Sequence, residues 1–183
     1  MRLTQQEAER LNAQVAALET EDNTAKVRDI LLFTLAQQKN DADFSAFLGV
    51  LHDLLFDLLF HRQAGHFHDL LRGVRLLQKN TAIAWQRKAI QSFVTILSSK
   101  KSWAGHTQFF KELHNLSSAE QLRVLHLINL LDPAFIAVLA PELDHIRGSA
   151  LHQNLIAAAA KLVSRNIQPL EHCLSGSDEA TLR

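Results

Sequence analysis

A row of basic side chains at helical spacing is the part of this sequence best equipped to bind a ligand. Its members lie at positions i, i+4, i+7 and i+11, so a helix carries all of them on one face. They are His68, Arg72, Arg75 and Lys79. Arg87 and Lys88 follow in the same basic stretch. Guanidinium and ammonium groups bind carboxylates and phosphates, so these six residues predict a surface for an anionic partner.

The formal net charge of zero hides a separation of charge along the chain. Residues 1–61 carry 5 basic and 10 acidic residues, whereas residues 62–111 carry 9 basic residues and one acidic residue. Residues 112–183 carry 5 basic and 8 acidic residues. Trp85 and Trp103 lie in the basic part, and basic groups beside aromatic rings are typical of surfaces that bind nucleic acid. The charge pattern therefore places the expected binding surface in the middle third of the chain.

Three interpretations of the basic row stay open from the sequence. The row can pack against an acidic row on the preceding helix, formed by Asp53 and Asp57 together with His61. It can instead bind an acidic segment of a partner protein, or it can bind the phosphates of a nucleic acid. The first interpretation is the simplest, because it needs no partner.

Ten histidines raise the question of a metal site. His52-Asp53 and His68-Asp69 resemble the paired motif of HD-type phosphohydrolases, a family that also needs a histidine well upstream, and no histidine precedes His52. The densest cluster flanks a predicted turn and lacks a second pair at the spacing of zinc ligands. It consists of His61, His66 and His68. We therefore expect no metal ion and no cofactor.

Motifs of the common enzyme families are missing from the sequence. It contains no phosphate-binding loop, no dinucleotide-binding glycine pattern and no nucleophile elbow. We therefore predict no catalytic residue and no enzymatic activity. A metal-dependent HD-type phosphohydrolase is kept as a remote alternative.

The composition predicts a single all-α array. Of the 183 residues, 47% are hydrophobic, which is enough for a core, and only six are glycine and three are proline. Cys173 is the only cysteine, which excludes a disulfide within the chain and fits a reducing compartment. The most apolar stretch, residues 44–60, contains Asp53 and Asp57 and is poorly suited to cross a membrane. We predict a cytoplasmic protein with no membrane partner.

Capping signals predict about nine helices joined by short loops, which makes neighbouring helices antiparallel. Two pairs have the spacing of a capping box. They are Thr4 with Glu7 and Ser117 with Glu120. Asp43 is predicted to cap a helix that runs to Phe60, and one continuous helix is predicted over residues 103–116. Asp132-Pro133 marks another helix start, with proline at the first helical position.

The apolar residues of the last third nearly repeat themselves. The first helix of the repeat shows an offset of 33 residues and the second an offset of 31. Leu122, Leu127 and Leu130 are followed by Leu155, Ala160 and Val163, and Ile136, Leu139 and Leu143 are followed by Ile167, Leu170 and Leu174. A third copy begins at Asp178 and stops at Arg183. We therefore expect a fragment of a larger repeat protein.

These residues, with the Asp132-Pro133 turn and the alanine run at 157–160, resemble the HEAT-repeat proteins over residues 117–183. The resemblance implies antiparallel helical hairpins stacked as a right-handed superhelix, with residues 1–116 as divergent hairpins of the same array. It also implies a non-catalytic scaffold or protein-interaction module with a protein partner. Some HEAT-like proteins hold DNA against a helical surface, so a nucleic-acid or anion-binding module centred on residues 62–111 is the alternative.

Overall fold

A computed structural model describes residues 23–143, 150–169 and 171, and this part of the chain is helical without a strand. The predicted all-α class is therefore confirmed. The capping box at Thr4 and Glu7, Cys173, and the last echoes of the repeat lie outside the described residues.

The described helices follow one another with short connections. They are α1 (Asn23–Gln37), α2 (Asp41–Phe60), α3 (Ala64–Asn80), α4 (Ala84–Leu97), α5 (Lys100–Trp103), α6 (Gln108–Glu112), α7 (Ser118–Ile128), α8 (Ile136–Leu143) and α9 (Ala150–Val163), with 3₁₀ turns at Leu113–Asn115 and Pro133–Phe135. The chain divides into two compact units, residues 1–37 and residues 38–183. The packing described below belongs to the second unit. In the first unit, Leu35 of α1 is buried and Phe33 is exposed.

Helix α2 begins earlier than the sequence predicted. Asn40 is the N-cap, and its side chain accepts a hydrogen bond of 2.8 Å from the backbone N–H of Asp43. The prediction that Asp43 caps this helix is therefore wrong. Asparagine is as good a cap as aspartate, and the aspartate lies in the first turn, where its negative charge favours the helix dipole.

A tight reversal joins α2 to α3. Arg62 adopts a positive φ of 59°, and the backbone N–H of Gln63 donates to the carbonyl of Leu58 at 2.7 Å. This is the Schellman arrangement that ends many helices. Phe56 and Phe67 meet across the reversal with ring centroids 6.5 Å apart. The two helices are therefore antiparallel, as the short loop predicted.

Contacts between helices alternate in direction through the second unit. Phe44 of α2 meets Trp85 at the start of α4, and His52 lies 3.3 Å from Ser102 beyond the end of α4, so α2 and α4 run parallel. Arg75 and Gln78 of α3 reach α4 in the reverse order, at Gln91 and Arg87, so that pair is antiparallel. This alternation is compatible with stacked helical hairpins.

The buried residues correct the register of the repeat. Leu122 is exposed whereas Leu155, its predicted counterpart at an offset of 33, is buried. An offset of 31 instead pairs four buried residues of the first helix with four buried residues. The buried residues Val124, Leu127, Ile128 and Leu131 correspond to Leu155, Ala158, Ala159 and Leu162. The predicted offset of 33 residues for this helix is therefore wrong. In the second helix Ile136 is buried and Ile167 is exposed, and the other two predicted counterparts lie outside the described residues.

Trp103 occupies the centre of the core. Its ring is 1% exposed and packs within about 5 Å of Phe56, Phe110 and Phe135. Its indole N–H donates to the carbonyl of Leu97 at 2.8 Å. The chain turns immediately after this residue, so the continuous helix predicted over residues 103–116 is wrong. Short helices and a 3₁₀ turn replace it, and the break lies at Ala104-Gly105, where glycine disfavours a helix.

Two local predictions are confirmed. Ser117 and Glu120 form a complete capping box at the start of α7. Asp132 caps the turn that precedes α8, accepting a hydrogen bond from the N–H of Ala134 at 3.1 Å, and Pro133 follows it. Among the described helices, none combines the length and the apolar character needed to span a membrane.

Candidate functional site

The basic row of α3 lines a groove against α7. The groove has a volume of about 350 Å³ and contains all four residues of the row. Its lining is His68, Arg72, Arg75, Leu76 and Lys79 from α3, with His126 and Leu130 from α7 and the turn after it. We call it the α3–α7 groove. The helical spacing therefore correctly predicted one continuous surface.

Arg75 is the residue that ties the groove together. Its Nε donates to the carbonyl of Leu130 at 3.0 Å, and its Nη1 donates to the side-chain oxygen of Gln78 at 2.9 Å. Burial lowers the pKa of Arg75 below its usual value, while the carboxylate of Asp132 raises it and the positive charge of Arg165 lowers it. Arginine stays protonated in proteins, so Arg75 acts as a charged clamp on the end of α7.

Arg72 and Lys79 differ from Arg75 because both are exposed. Neither makes a hydrogen bond or an ion pair with another residue in the part of the chain that the structure describes. They are seven residues apart on one face, which separates them by roughly 10 Å along the helix axis. The groove thus presents two free cations on either side of a fixed one.

The two histidines of the groove lie near each other at the end opposite Lys79. The rings of His68 and His126 are 6.1 Å apart between centroids. His68 Nδ1 lies 3.0 Å from the carboxylate of Asp69. This contact partly occupies the first residue of the basic row, so the free positive charge lies towards Lys79.

Two further cations were missed by the sequence reasoning because they lie outside the basic third. A Cβ at Gly65 would lie 2.5 Å from Nη1 of Arg123, so this guanidinium rests against the α3 backbone where a side chain would otherwise project. Arg165 is near enough to Arg75 to affect its pKa. The i, i+3, i+7 spacing of Arg123, His126 and Leu130 was the available signal.

The order of contacts shows that α3 and α7 run parallel. Gly65 meets Arg123, His68 meets His126, and Arg75 meets Leu130, so both sets of residue numbers increase together. The basic row therefore lies beside α7 and the turn that follows it. No ion pair joins it to Asp53 or Asp57 among the residues described. The interpretation that it packs against the acidic row of α2 is wrong.

The other two predicted binding residues lie elsewhere. Lys88 lines a separate groove between α2 and α4. Arg87 is exposed on α4, and its backbone carbonyl accepts a hydrogen bond from Gln78. The structure thus brings four of the six predicted residues together and separates the remaining two.

The two tryptophans are not placed for stacking on bases in the α3–α7 groove. Trp103 is buried in the core, and Trp85 is half-buried with its ring edge-on to Phe44. Neither residue lines the groove. The aromatic half of the nucleic-acid pattern is therefore absent from the surface that holds the cations.

Each of the two His-Asp pairs makes a contact between its own two residues. His52 Nδ1 lies 3.2 Å from Asp53, and His68 Nδ1 lies 3.0 Å from Asp69. Over residues 23–143, 150–169 and 171, no three histidine, cysteine, aspartate or glutamate side chains gather as potential metal ligands. The described residues therefore offer no donor set on which to build an HD-type centre.

No protein-family model, curated protein or solved structure matches this chain.

Proposed function

We propose that this chain is a non-catalytic interaction module that binds an acidic segment of a partner protein in the α3–α7 groove. The observation that carries the proposal is the pair of free cations, Arg72 and Lys79, on either side of the clamped Arg75. A partner helix with two carboxylates seven residues apart matches their separation of roughly 10 Å. We also propose that the hairpins form a HEAT-like scaffold in the cytoplasm.

Leucine side chains favour a protein partner over a nucleic acid. Leu76 is 48% exposed and lies in the lining between the cations, next to Leu130. An amphipathic acidic helix can place apolar side chains on these leucines, whereas a phosphate backbone cannot use them. Base stacking supplies much of the affinity for single-stranded nucleic acid, and neither tryptophan is available for it in this groove.

The test is a titration of a labelled acidic peptide, followed by fluorescence anisotropy at low and at physiological salt. The peptide is a helix of about 18 residues with two glutamates seven positions apart and leucines between them. Each exposed ion pair contributes about 0.2–1 kcal/mol, and reversal of a charge replaces attraction by repulsion. We expect the double substitution Arg72→Glu/Lys79→Glu to weaken binding by about 2 kcal/mol, which is roughly 30-fold.

Two lysines provide a matched control. Lys100→Glu/Lys101→Glu changes the net charge of the protein by the same amount at exposed positions that do not line the groove. An equal loss of peptide affinity in both double variants would show that only the net charge of the protein matters, which would refute a specific groove.

A labelled oligonucleotide titrated in parallel decides between the partner classes. Binding of the oligonucleotide alone, lost in the Arg72→Glu/Lys79→Glu variant, would replace the protein partner by a nucleic acid.

A further inference from the structure

A second groove lies between the parallel helices α2 and α4 and contains none of the residues of the α3–α7 groove. Its volume is about 730 Å³, within the range of clefts that hold ligands. Buried Leu48 and Phe93 form part of its lining. Small residues form its walls at helical spacing. They are Ser45 and Gly49 on α2, and Ala89 and Ser92 on α4.

The centre of this groove is open to a close approach. A Cβ added at Gly49 would meet no atom within 4 Å, although this glycine lies in the middle of α2. Ile96 is 58% exposed at the end of the groove. Small residues beside exposed apolar ones allow another helix to lie close to the backbone and cover the apolar surface. The shape therefore fits a helix that packs against both backbones.

Charges on the two walls specify the chemistry of that helix. Asp53 lies on the α2 wall, 3.2 Å from His52 and with its side chain 85% exposed, and Asp41 lies on the same wall. Lys88 lies on the α4 wall. Because Phe44 meets Trp85, Lys88 and Asp53 are separated by roughly 9 Å along the groove. They form no ion pair with each other in the described structure. Helix α2 carries four aspartates and no lysine or arginine.

We propose that the α2–α4 groove binds one amphipathic helix of a partner protein. The leucine and alanine face of that helix covers the floor around Gly49, and a basic and an acidic residue about two turns apart meet Asp53 and Lys88. This surface is independent of the acidic-partner groove, so the failure of either proposal leaves the other standing. The module then holds two partners, or two helices of one partner, through surfaces of different chemistry.

The test uses a labelled helical peptide of about 16 residues, with leucine and alanine on one face and a lysine and a glutamate seven positions apart. Binding to the full 183-residue chain is measured by fluorescence anisotropy. Gly49→Leu fills the groove, and we expect it to weaken binding about tenfold. This variant should fold normally, because leucine favours a helix more than glycine does. Asp53→Lys should weaken binding as well.

Ala46→Leu is the matched control, since it adds the same side chain at an exposed position of α2 outside the groove. It should bind the peptide as the unaltered protein does. An absence of saturable binding to the unaltered protein, or equal affinity of the Gly49→Leu and Ala46→Leu variants, would overturn the proposal. Sedimentation of the protein alone tests whether a second copy of this chain, instead of a partner helix, occupies the groove. A dimer that Gly49→Leu dissociates would identify a second copy of this chain in place of a partner helix.

Discussion

Substitution of Arg75 by methionine tests whether this residue stabilises the fold, a role that the free cations of the α3–α7 groove do not share. The guanidinium makes a 3.0 Å hydrogen bond to the carbonyl of Leu130 and a 2.9 Å bond to Gln78. Methionine keeps the apolar stem of the side chain in place but leaves the carbonyl at the end of α7 without this donor. Arg72→Met removes an equal charge from an exposed residue of the same row.

The expected loss follows from the contacts. Hydrogen bonds to charged groups contribute about 1.5–3 kcal/mol, and the partial exposure of Arg75 places the value near the lower half of this range. We therefore expect Arg75→Met to lower the free energy of unfolding by about 2 kcal/mol. For a domain of this size, that corresponds to a fall in Tm of about 4–8 °C. Arg72→Met should change stability by no more than about 0.5 kcal/mol.

Urea denaturation followed by far-ultraviolet circular dichroism measures both values at neutral pH. If the free energy of unfolding depends on urea concentration with the same slope in each variant, the variants differ in stability alone. An equal loss in Arg75→Met and Arg72→Met would contradict the reasoning, because of the two only Arg75 is bonded to the turn after α7. A loss confined to Arg72→Met would contradict it more strongly.

Three further predictions concern single positions. Ser117→Ala removes the capping box of α7 and should cost about 1 kcal/mol in a urea melt, whereas a neutral result would contradict a role for the cap. Gly49→Ala should raise stability by about 0.5–1 kcal/mol, because the added Cβ meets open space and alanine restricts the unfolded chain, so a lower Tm would show that the position is crowded. Burial, and secondarily the charge of His52, lower the pKa of His106 below its usual value. Because the unfolded chain then binds the extra proton first, stability should be full above the ordinary histidine pKa and should fall as the pH drops through the lowered value. His106→Gln should flatten that acid-side loss in melts at graded pH, and an unchanged slope would contradict the assignment.

Local signals predicted the features of this fold that depend on few residues. Ser117 with Glu120 and Asp132 with Pro133 mark helix starts through bonds made within four residues, so their spacing alone is informative. The basic row likewise follows from helical geometry, because any helix over residues 64–80 brings Arg72, Arg75 and Lys79 onto one face.

Features that depend on tertiary packing could not be predicted from the sequence. The row lies beside α7, which is distant along the chain, and this contact places His126 in the groove and Arg123 against the α3 backbone at Gly65. The packing of Trp103 was not predicted either, because its contacts with Phe56 and Phe135 join residues distant in the sequence, whereas the turn after it at Gly105 had a local signal that the prediction of one helix overlooked. The predicted repeat is two residues out of register in its first helix, because leucine and alanine occupy both exposed and buried positions there.

The pattern of buried residues corrects the offset of the repeat but adds no support to the resemblance to HEAT-repeat proteins. The offset of 31 residues aligns buried Val124 and Leu127 with Leu155 and Ala158. Four positions at i, i+3, i+4 and i+7 are common to amphipathic helices in general. The alternation of helix directions is therefore the stronger support for stacked hairpins, and the HEAT-like superhelix stays a prediction.

A charge-swap experiment tests the central claim about the α3–α7 groove most directly. The unaltered protein and the Arg72→Glu/Lys79→Glu variant are each titrated with the peptide carrying two glutamates and with its counterpart carrying two lysines at the same positions. We predict that the protein prefers the glutamate peptide, that the variant prefers the lysine peptide, and that both preferences weaken with salt. If the variant fails to bind the lysine peptide while it remains folded, or if the unaltered protein binds both peptides equally, the claim that Arg72 and Lys79 recognise an acidic segment is contradicted.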